Sequence, residues 1–336
     1  VFAGMVEGVL AVDAEGRILE VNAAAERLLD TGGEQVRGRY LDEVVRNPDL
    51  LRFIDTTRSG GAPAETEIIL HGQEERCLQV RCGMLTGPAG TTLGTVVVLN
   101  DITRLLRLEQ MGRDFVANVS HELKTPITVL KGCVDTLLDR EGRRPEDDAR
   151  FIAMIGRQVE RLHAIVEDLL SLSRIEHDEQ RKGVAREPGS IGEVLRRAAQ
   201  AFSRPAEEKG ITLVVECPAG LVAPINATLL EQAVGNLIDN AIKYSAVHTR
   251  VQVDAAVRGE MVEICVRDQG PGIEKKHLPR IFERFYRVDA ARSRALGGTG
   301  LGLAIVKHIA LAHGGAAAVE STPGQGSVFT IRIPRQ

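Results

Sequence analysis

The chain has 336 residues, which at roughly 100–200 residues per domain predicts two or three domains and excludes a single small module. Hydrophobic residues make up 43% and charged residues 26%, as in ordinary globular proteins, so wholesale disorder and a collagen-like structure are excluded. Aromatic residues are only 3% and the formal net charge is −4, so the chain lacks both the stacking platforms and the basic surface of a nucleic-acid-binding protein.

The cysteines and the start of the chain bear on its compartment. Five cysteines are scattered without any CxxC spacing, which predicts reduced thiols and excludes a disulfide framework or a zinc site. No apolar run reaches the roughly 18–20 residues that cross a bilayer. Because the first residue is Val1 and not Met, we expect a fragment of a longer protein, with a possible membrane anchor upstream of Val1.

Residues 1–102 are predicted to form a small mixed α/β domain around one sheet. The apolar run 8–12, the turn 13–16 and the run 17–21 predict a β-hairpin, after which Asn22 is expected to cap a short helix. Further strands are predicted at 67–70, 77–81 and 95–99.

Two long amphipathic helices are predicted next, over residues 103–180. Apolar residues recur every three or four positions over 102–137 and again, in coiled-coil steps, over 152–169. The polar loop 141–148 is expected to separate the helices. Since a helical hairpin leaves its apolar seam half covered within one chain, we expect dimerisation into a four-helix bundle.

Residues 186–336 alternate between helix and strand patterns, which predicts an α/β sandwich. Helices are predicted at 191–202, 227–244 and 301–313. Strands are predicted at 211–216, 249–253, 261–267 and 328–333.

The first long helix carries the segment 115–126, which contains a candidate nucleophile. His121 lies on the side opposite the apolar seam and is expected to face solvent, with Glu122 beside it and Thr125 one turn later. Pro126 removes a helical hydrogen bond at a cost of about 3 kcal/mol and is expected to bend the helix. A lone exposed histidine is more often part of a solvated face, but here the bend, carboxylate and hydroxyl together favour nucleophilic attack on phosphorus.

A polar stripe runs along the predicted helix 227–244, opposite its apolar side. The stripe consists of Asn236, Asn240, Lys243 and Tyr244. Amide oxygens suit a hard cation, an ammonium group suits phosphate, and a tyrosine ring suits a nucleotide base. A pair of helical asparagines alone is equally typical of a solvated face.

Two glycine-rich segments complete the set. Asp268 follows a predicted strand and precedes Gly270 and Gly272, a pattern that fits a ligand approaching the backbone but also a plain turn. The run 297–303 precedes a helix, where closely spaced glycines bring backbone N–H groups and the positive end of the helix dipole to phosphate. Its spacing is not a dinucleotide fingerprint, and a Walker A motif is absent. Arg292 and Arg294 are expected to add positive charge in a flexible lid.

Together these segments resemble the five major sequence boxes of bacterial sensor histidine kinases, in the family's order. The H, N, first glycine, F and second glycine boxes correspond to 121–126, 236–244, 268–272, 282–285 and 298–302. Residues 324–327 resemble the last small glycine box. Residues 1–100 are similar to a PAS sensor domain, and the arrangement resembles the phosphate-regulon type of sensor kinase.

The resemblance implies a multidomain α+β fold. It implies a PAS-like sensor domain over 1–102, a phosphotransfer hairpin forming a dimeric four-helix bundle over 103–180, and a histidine-kinase, gyrase and chaperone type ATPase sandwich over 186–336. The implied activity is that of an ATP-dependent protein-histidine kinase of two-component systems. The implied partners are a second copy of the chain and the receiver domain of a response regulator, and the implied location is the cytoplasmic portion of an inner-membrane-anchored protein.

The same resemblance implies the catalytic roles. His121 takes the γ-phosphoryl group of ATP on one imidazole nitrogen, while Glu122 holds and deprotonates the other. An aspartate of the regulator then receives the phosphoryl group, and Thr125 orients a water for the reverse, phosphatase reaction. Exposed positions beyond Pro126, such as Thr128 and Lys131, are expected to contact the regulator.

The resemblance also implies the residues that bind ATP and Mg²⁺. Asn240 is the implied metal ligand, with Asn236 nearby, and Lys243 and Arg287 are the implied phosphate contacts. The glycine segments, which let loops approach the triphosphate, contribute Gly270, Gly272, Gly298, Thr299, Gly300, Leu301 and Gly302.

Recognition of the base is assigned to two further residues. The resemblance implies that Tyr244 lies against the adenine or ribose and that Asp268 binds the adenine amino group. The family often has an aspartate where this chain has Asn226, before the N-box helix, but asparagine caps a helix equally well.

Two alternatives remain at this stage. One is an adaptor that binds ATP without kinase output, although no expected catalytic position is degenerate. The other is a mechanical ATPase, which leaves the proline-bearing histidine helix unexplained. For the sensor domain, His71 and Cys77 are isolated candidates that give no support for a haem or flavin.

Overall fold

A computed structural model describes residues 5–31, 36–60, 64–71, 75–86, 92–139, 145–181, 184–289 and 297–336. The chain divides into two compact units, Val1–Asp114 and Phe115–Gln336. The predicted lid arginines, Arg292 and Arg294, lie outside the described residues, as does part of the predicted loop 141–148. Within the described ranges, no helix is both long and apolar enough to cross a membrane.

The first unit is built around one sheet, as predicted, and its strands pair antiparallel. Its strands are β1 (Gly8–Asp13), β2 (Ile18–Val21), β3 (Ala64–Leu70), β4 (Arg76–Thr86) and β5 (Thr92–Asp101). They pair in the order β2-β1-β5-β4-β3. The helices are α1 (Ala23–Leu29), α2 (Leu41–Val44) and α3 (Pro48–Gly60).

Asn22 caps α1, as the sequence predicts. Its Oδ1 accepts hydrogen bonds from the backbone N–H groups of Ala25 at 2.8 Å and Val9 at 2.9 Å, so one buried amide joins the helix to β1. Helices α2 and α3 were not predicted. The buried Leu50 and Ile54 give α3 only one clear apolar i,i+4 pair, which is too short a periodicity to read.

Two long helices follow, α4 (Thr103–Leu138) and α5 (Pro145–Arg181). The predicted loop 141–148 was too long, because its last four residues form the first turn of α5. Proline is favoured at the first helical position, and the acidic residues 146–148 favour the positive end of the helix dipole. Pro126 lies inside α4 and is buried.

The hairpin of α4 and α5 leaves many large apolar side chains exposed. Within the second unit these are Val116, Ile127, Val134, Leu138, Ile152, Val159, Val166 and Leu170. Several belong to the apolar series that the sequence placed on one seam. A single chain therefore covers this seam only in part.

The remainder of the second unit is an α/β sandwich. A mixed sheet contains β7 (Thr212–Glu216), β9 (Arg250–Arg258), β10 (Met261–Asp268), β11 (Ala316–Thr322) and β12 (Gly326–Pro334), in the order β11-β12-β10-β9-β7. Strands β6 (Glu187–Ser190) and β8 (Val222–Ile225) form a separate pair. The helices are α6 (Ile191–Ala201), α7 (Ser203–Glu208), α8 (Ala227–Tyr244) and α9 (Gly302–Ala312).

The apolar core lies between the sheet and helices α6, α8 and α9. Leu230, Val234 and Ile238 of α8 pack into it without exposure to solvent. This orientation turns the opposite, polar side of α8 outward from the core. Only β7 and β9 pair in parallel, and the other strand pairs of the mixed sheet are antiparallel.

A completely buried histidine fixes the start of α8. His313 Nδ1 lies 2.7 Å from the carbonyl oxygen of Ile309, and Nε2 accepts the backbone N–H of Asn226 at 3.0 Å. Both contacts are satisfied by a neutral ring with its proton on Nδ1. Burial lowers the pKa of His313, and the nearby Arg186 guanidinium lowers it further. Asn226 in turn caps α8 through Leu229, as predicted.

The neutral state of His313 predicts a pH-dependent stability. Its folded pKa lies below the ordinary 6.5, so the unfolded chain takes up the proton first as the pH falls. The contribution should be complete above pH 6.5 and should decline toward the folded pKa, by at most about 1.4 kcal/mol per pH unit. His313→Gln should lower the free energy of unfolding at neutral pH and also reduce its dependence on pH.

Denaturant unfolding from about pH 7.5 to about pH 5.5 measures both effects. His163→Gln, at an exposed position of α5, is the matched control and should keep the pH dependence of the wild type. The same pH dependence in His313→Gln and the wild type would contradict a buried neutral ring.

Candidate active site

A cavity of about 380 Å³ lies in the second unit, where α8, the segment after β10 and the glycine loop before α9 meet. It brings together most of the nucleotide-site residues that the sequence singled out. These are Asn236, Asn240, Lys243, Tyr244, Asp268, Gly272, Arg287, Gly298, Thr299, Gly300 and Gly302. Gly270 and Leu301 are not part of the lining among the described residues.

The polar side of α8 forms one wall of the cavity. Asn236 Nδ2 donates to the carbonyl oxygen of Gly302 at 3.3 Å, which ties this wall to the start of α9. Lys243 Nζ lies 2.7 Å from a carboxylate oxygen of Asp239, one helical turn earlier. The wall therefore presents amide groups and an ammonium that is partly neutralised.

Asp268 ends β10 and presents a half-buried carboxylate. Its Oδ1 accepts the backbone N–H of Gly270 at 2.8 Å, so Gly270 positions this side chain without lining the cavity. Burial raises the pKa of Asp268, while hydrogen bonds from Gly270 and Ser327 lower it. The result is a fixed acceptor for a donor group entering the cavity.

Two glycines allow the backbone to close around the cavity. Gly272 has φ +70°, and a Cβ there would lie 2.1 Å from the carbonyl oxygen of Thr322. Gly300 has φ +80°, and a Cβ there would lie 3.0 Å from Cα of Phe285. Only glycine meets both the left-handed conformation and the close contact.

The glycine loop leads into the N-terminus of α9. Leu301 precedes the helix without a side-chain cap, and its own N–H donates to Thr299 Oγ1 at 3.2 Å. Leu301 is completely buried, which explains why it supports the loop without lining the cavity. An uncapped helix N-terminus beside a glycine loop favours an anionic group.

Arg287 supplies positive charge to the cavity from a side chain that is only 6% exposed. One terminal nitrogen donates to the carbonyl oxygen of Thr299 at 2.7 Å and to Glu122 Oε2 at 3.1 Å. Its Nε is buried and has no hydrogen-bond partner within the described part of the chain. This orphaned donor in the cavity wall fits a ligand that carries acceptor oxygens.

The predicted nucleophile lies outside the cavity lining. His121 is exposed on α4, and the Thr125 hydroxyl donates to its carbonyl oxygen at 3.1 Å. His121, Glu122 and Thr125 are not among the described lining residues. The link between nucleophile and cavity is instead Arg287, through its hydrogen bond to Glu122.

The partners of Glu122 differ from the expected one. Its carboxylate is 13% exposed and accepts hydrogen bonds from Arg161 at 2.9 Å and from Arg287 at 3.1 Å. Across the described residues, no hydrogen bond joins it to the imidazole of His121. Arg161 and Arg287 bind the carboxylate through charge-assisted hydrogen bonds, and the side chains of His121 and Glu122, being consecutive in a helix, point about 100° apart.

Helix α5 contributes a wall that the sequence did not reveal. Ala164 and Asp168 line the cavity, and Asp168 Oδ2 accepts the Thr299 hydroxyl at 2.7 Å. Burial raises the pKa of Asp168, while the Thr299 hydrogen bond and the charge of Lys243 lower it. The sequence carried no signal for this contact, because it joins positions 131 residues apart.

Three protein families match successive parts of the chain. The PAS fold matches residues 2–107, the His Kinase A (phospho-acceptor) domain matches 111–178, and the histidine kinase-, DNA gyrase B-, and HSP90-like ATPase matches 225–336. The sensor-like histidine kinase SenX3 of Mycolicibacterium smegmatis is 34% identical over 96% of this chain and 80% of its own length. The chain belongs to the PAS-containing sensor histidine kinases of two-component systems.

Further comparisons agree with this family. The phosphate regulon sensor protein PhoR of Pseudomonas aeruginosa is 32% identical over 98% of this chain and 72% of its own length. The structure of the histidine kinase ThkA in complex with the response regulator protein TrrA covers 98% of this chain and 96% of its own, at 22% identity and a TM-score of 0.54, and so shows a shared fold. The predicted fold class is confirmed, and as a sensor histidine kinase the chain is an ATP-dependent protein-histidine kinase.

The close approach at Gly272 predicts a specific sensitivity of this kinase. Gly272→Ala should lower the free energy of unfolding by more than the roughly 1–2 kcal/mol of a left-handed alanine, since the methyl group also meets the Thr322 carbonyl oxygen. Gly220→Ala is the matched control, with φ +74° and open space around the added Cβ. Denaturant unfolding of both variants tests this, and equal losses would show that the close contact has no effect.

Proposed function

We propose that His121 is the residue phosphorylated from ATP in the cavity, and that the phosphoryl group then passes to an aspartate of a response-regulator receiver domain. The observation that carries this assignment is the position of Arg287, which lines the cavity and hydrogen-bonds Glu122, the residue next to His121. One guanidinium thus contacts both the nucleotide cavity and the helix of the nucleophile.

The first step requires an imidazole nitrogen to attack the γ-phosphorus. A nitrogen–phosphorus bond forms as the oxygen–phosphorus bond to the β-phosphate breaks, and ADP leaves with that electron pair. Glu122 holds the other nitrogen and accepts its proton. Because Glu122 is bound to Arg161 and Arg287, this role requires the carboxylate to exchange an arginine for the imidazole.

Binding of the phosphate chain is assigned to cationic and backbone donors. Lys243 and Arg287 contact the phosphates, and the loop 298–302 brings N–H groups at the start of α9 to them. The orphaned Nε of Arg287 supports this assignment. Positioning and charge neutralisation supply most of the catalysis in phosphoryl transfer.

Asn240 is assigned as the Mg²⁺ ligand, with Asn236 beside it. Both side chains line the cavity one helical turn apart and offer the hard oxygen donors that Mg²⁺ binds. Few protein ligands are needed, because Mg²⁺ keeps several waters and shares the phosphate oxygens. When bound, the ion neutralises negative charge on the phosphate chain.

The base is assigned to Asp268 and Tyr244. The carboxylate of Asp268 is held by Gly270 and Ser327 and accepts the adenine amino group. The ring of Tyr244 lines the same cavity and lies against the adenine or ribose. The position of these two side chains supports both assignments, because the Asp268 carboxylate and the Tyr244 ring line the same cavity.

A second copy of the chain is the proposed partner of the helical hairpin. The exposed apolar side chains of α4 and α5 are too many for a solvated surface, and a homodimeric four-helix bundle covers them.

The three functional domains are assigned as the sensor domain 1–102, the phosphotransfer hairpin 103–180 and the ATP-binding domain 186–336.

The response regulator is proposed to dock beside His121. Thr128 and Lys131 are exposed on α4 just beyond Pro126, where a receiver domain reaches them together with His121. ThkA, whose fold this chain shares, has been solved with its response regulator. Thr125 is assigned to orient the water of the reverse, phosphatase reaction.

Membrane anchoring upstream of Val1 stays a prediction.

The assignment of His121 predicts the chemistry of the phosphorylated protein. Incubation with γ-labelled ATP should give label that is lost in acid and retained in base, as expected for a phosphoramidate. His121→Ala should abolish the label because the variant lacks the imidazole that attacks phosphorus. His163→Ala, which removes another exposed hairpin histidine, should keep it.

The same assay separates the alternatives. Acid-labile label that persists in His121→Ala would reject His121 as the phosphorylated residue. An adaptor would bind ATP with no label in the wild type, and a mechanical ATPase would hydrolyse ATP continuously without forming a phosphoprotein.

A further inference from the structure

The carboxylate of Asp168 lies in the nucleotide cavity although it belongs to the phosphotransfer hairpin. It is half-buried on α5, and the Thr299 hydroxyl donates to it at 2.7 Å. Thr299 lies in the middle of the glycine loop. A hairpin side chain therefore holds the loop that is assigned to phosphate.

Two consecutive hydrogen bonds connect the carboxylate of Asp168 to the start of α9. The backbone N–H of Leu301 donates to Thr299 Oγ1 at 3.2 Å, and the same hydroxyl donates onward to Asp168. Leu301 immediately precedes the uncapped first turn of α9. A helix N-terminus stabilises a nearby negative charge, and in this arrangement Asp168 provides it.

The two cationic side chains of the described cavity wall, Lys243 and Arg287, each pair with a carboxylate. Lys243 pairs with Asp239, and Arg287 pairs with Glu122. Burial raises the pKa of Asp168, while the Thr299 hydrogen bond and the charge of Lys243 lower it. A carboxylate at this place is repelled by any phosphate group that approaches the same loop.

We propose that Asp168 is the resident anion of the nucleotide site, which binds the glycine loop through Thr299 and is displaced by the phosphate chain of the nucleotide. This inference rests on the proposed binding of ATP in the cavity. Asp168 is then a specificity-determining residue, because it lowers the affinity of the site for a nucleotide in proportion to the negative charge of that nucleotide's phosphates. It also couples nucleotide binding to the contact between α5 and the loop.

Asp168→Asn tests the proposal with minimal change of shape. The amide oxygen of asparagine still accepts the Thr299 hydroxyl, so the variant removes the charge and keeps the hydrogen bond. Binding of adenosine, ADP and ATP is measured by calorimetry on the full chain without Mg²⁺, and binding of ATP is then measured again with Mg²⁺. ATP should bind about tenfold more tightly to the variant, the effect of one nearby charge, with a smaller gain for ADP and none for adenosine. Glu167→Gln, which neutralises an exposed carboxylate on the same helix, should leave all three affinities unchanged.

Three results would overturn the proposal. Unchanged ATP affinity would show that the carboxylate does not compete with phosphate, and an equal change for adenosine would indicate a merely structural role. Weaker ATP binding in the variant, seen only when Mg²⁺ is added, would make Asp168 a cation ligand instead. Failure of the wild-type chain to bind ATP would reject the proposed nucleotide site itself, which distinguishes that outcome from a failure of Asp168.

Discussion

Arg287 holds together the two chemical parts of the second unit, because its guanidinium contacts both the glycine loop and the helix that carries His121. Arg161 and Arg287 both contact one carboxylate, that of Glu122, and all three side chains are largely buried. Removing one partner from a buried ion pair leaves an uncompensated charge and is strongly destabilising.

The docking of α5 against the nucleotide-binding part depends on further polar contacts of the same kind. Glu176 pairs with Arg284 and with His308, while Ser171 and Gln232 exchange hydrogen bonds. Phe115 of α4 also packs against Phe285, with ring centroids 6.0 Å apart. Leu172 and Ile175 of α5 are also buried in the apolar core of the sandwich, so the docking combines polar contacts with apolar packing.

Local sequence patterns predicted much of this structure. Helix α8 has the predicted bounds, since its apolar periodicity and its Asn226 cap both lie within the segment itself. Strand β11 was missed because its run of three alanines lacks the alternation of a half-buried strand, and β6 and β8 are only four residues long. The glycine-rich loops were found from composition and spacing alone, and the cavity gathers most of them.

The contacts of the carboxylates could not be predicted in the same way. Glu122 was expected to bind its neighbour His121, yet its partners include Arg287, 165 residues away. The position of Asp168 in the cavity could not be predicted, because the apolar periodicity of α5 carries no information about the contacts of the polar residues between the apolar positions. Such long-range pairs are fixed by how elements pack, and this information is not local to any segment.

Asp168 and Ala164 of α5 line the cavity, and we propose that the contact between Asp168 and the glycine loop breaks when the phosphate chain binds. Hydrogen–deuterium exchange of the full chain, with and without a non-hydrolysable ATP analogue and Mg²⁺, tests it most directly. We expect slower exchange at residues 297–302 together with faster exchange at residues 164–172 of α5. Protection of the loop with unchanged or increased protection of α5 would contradict it.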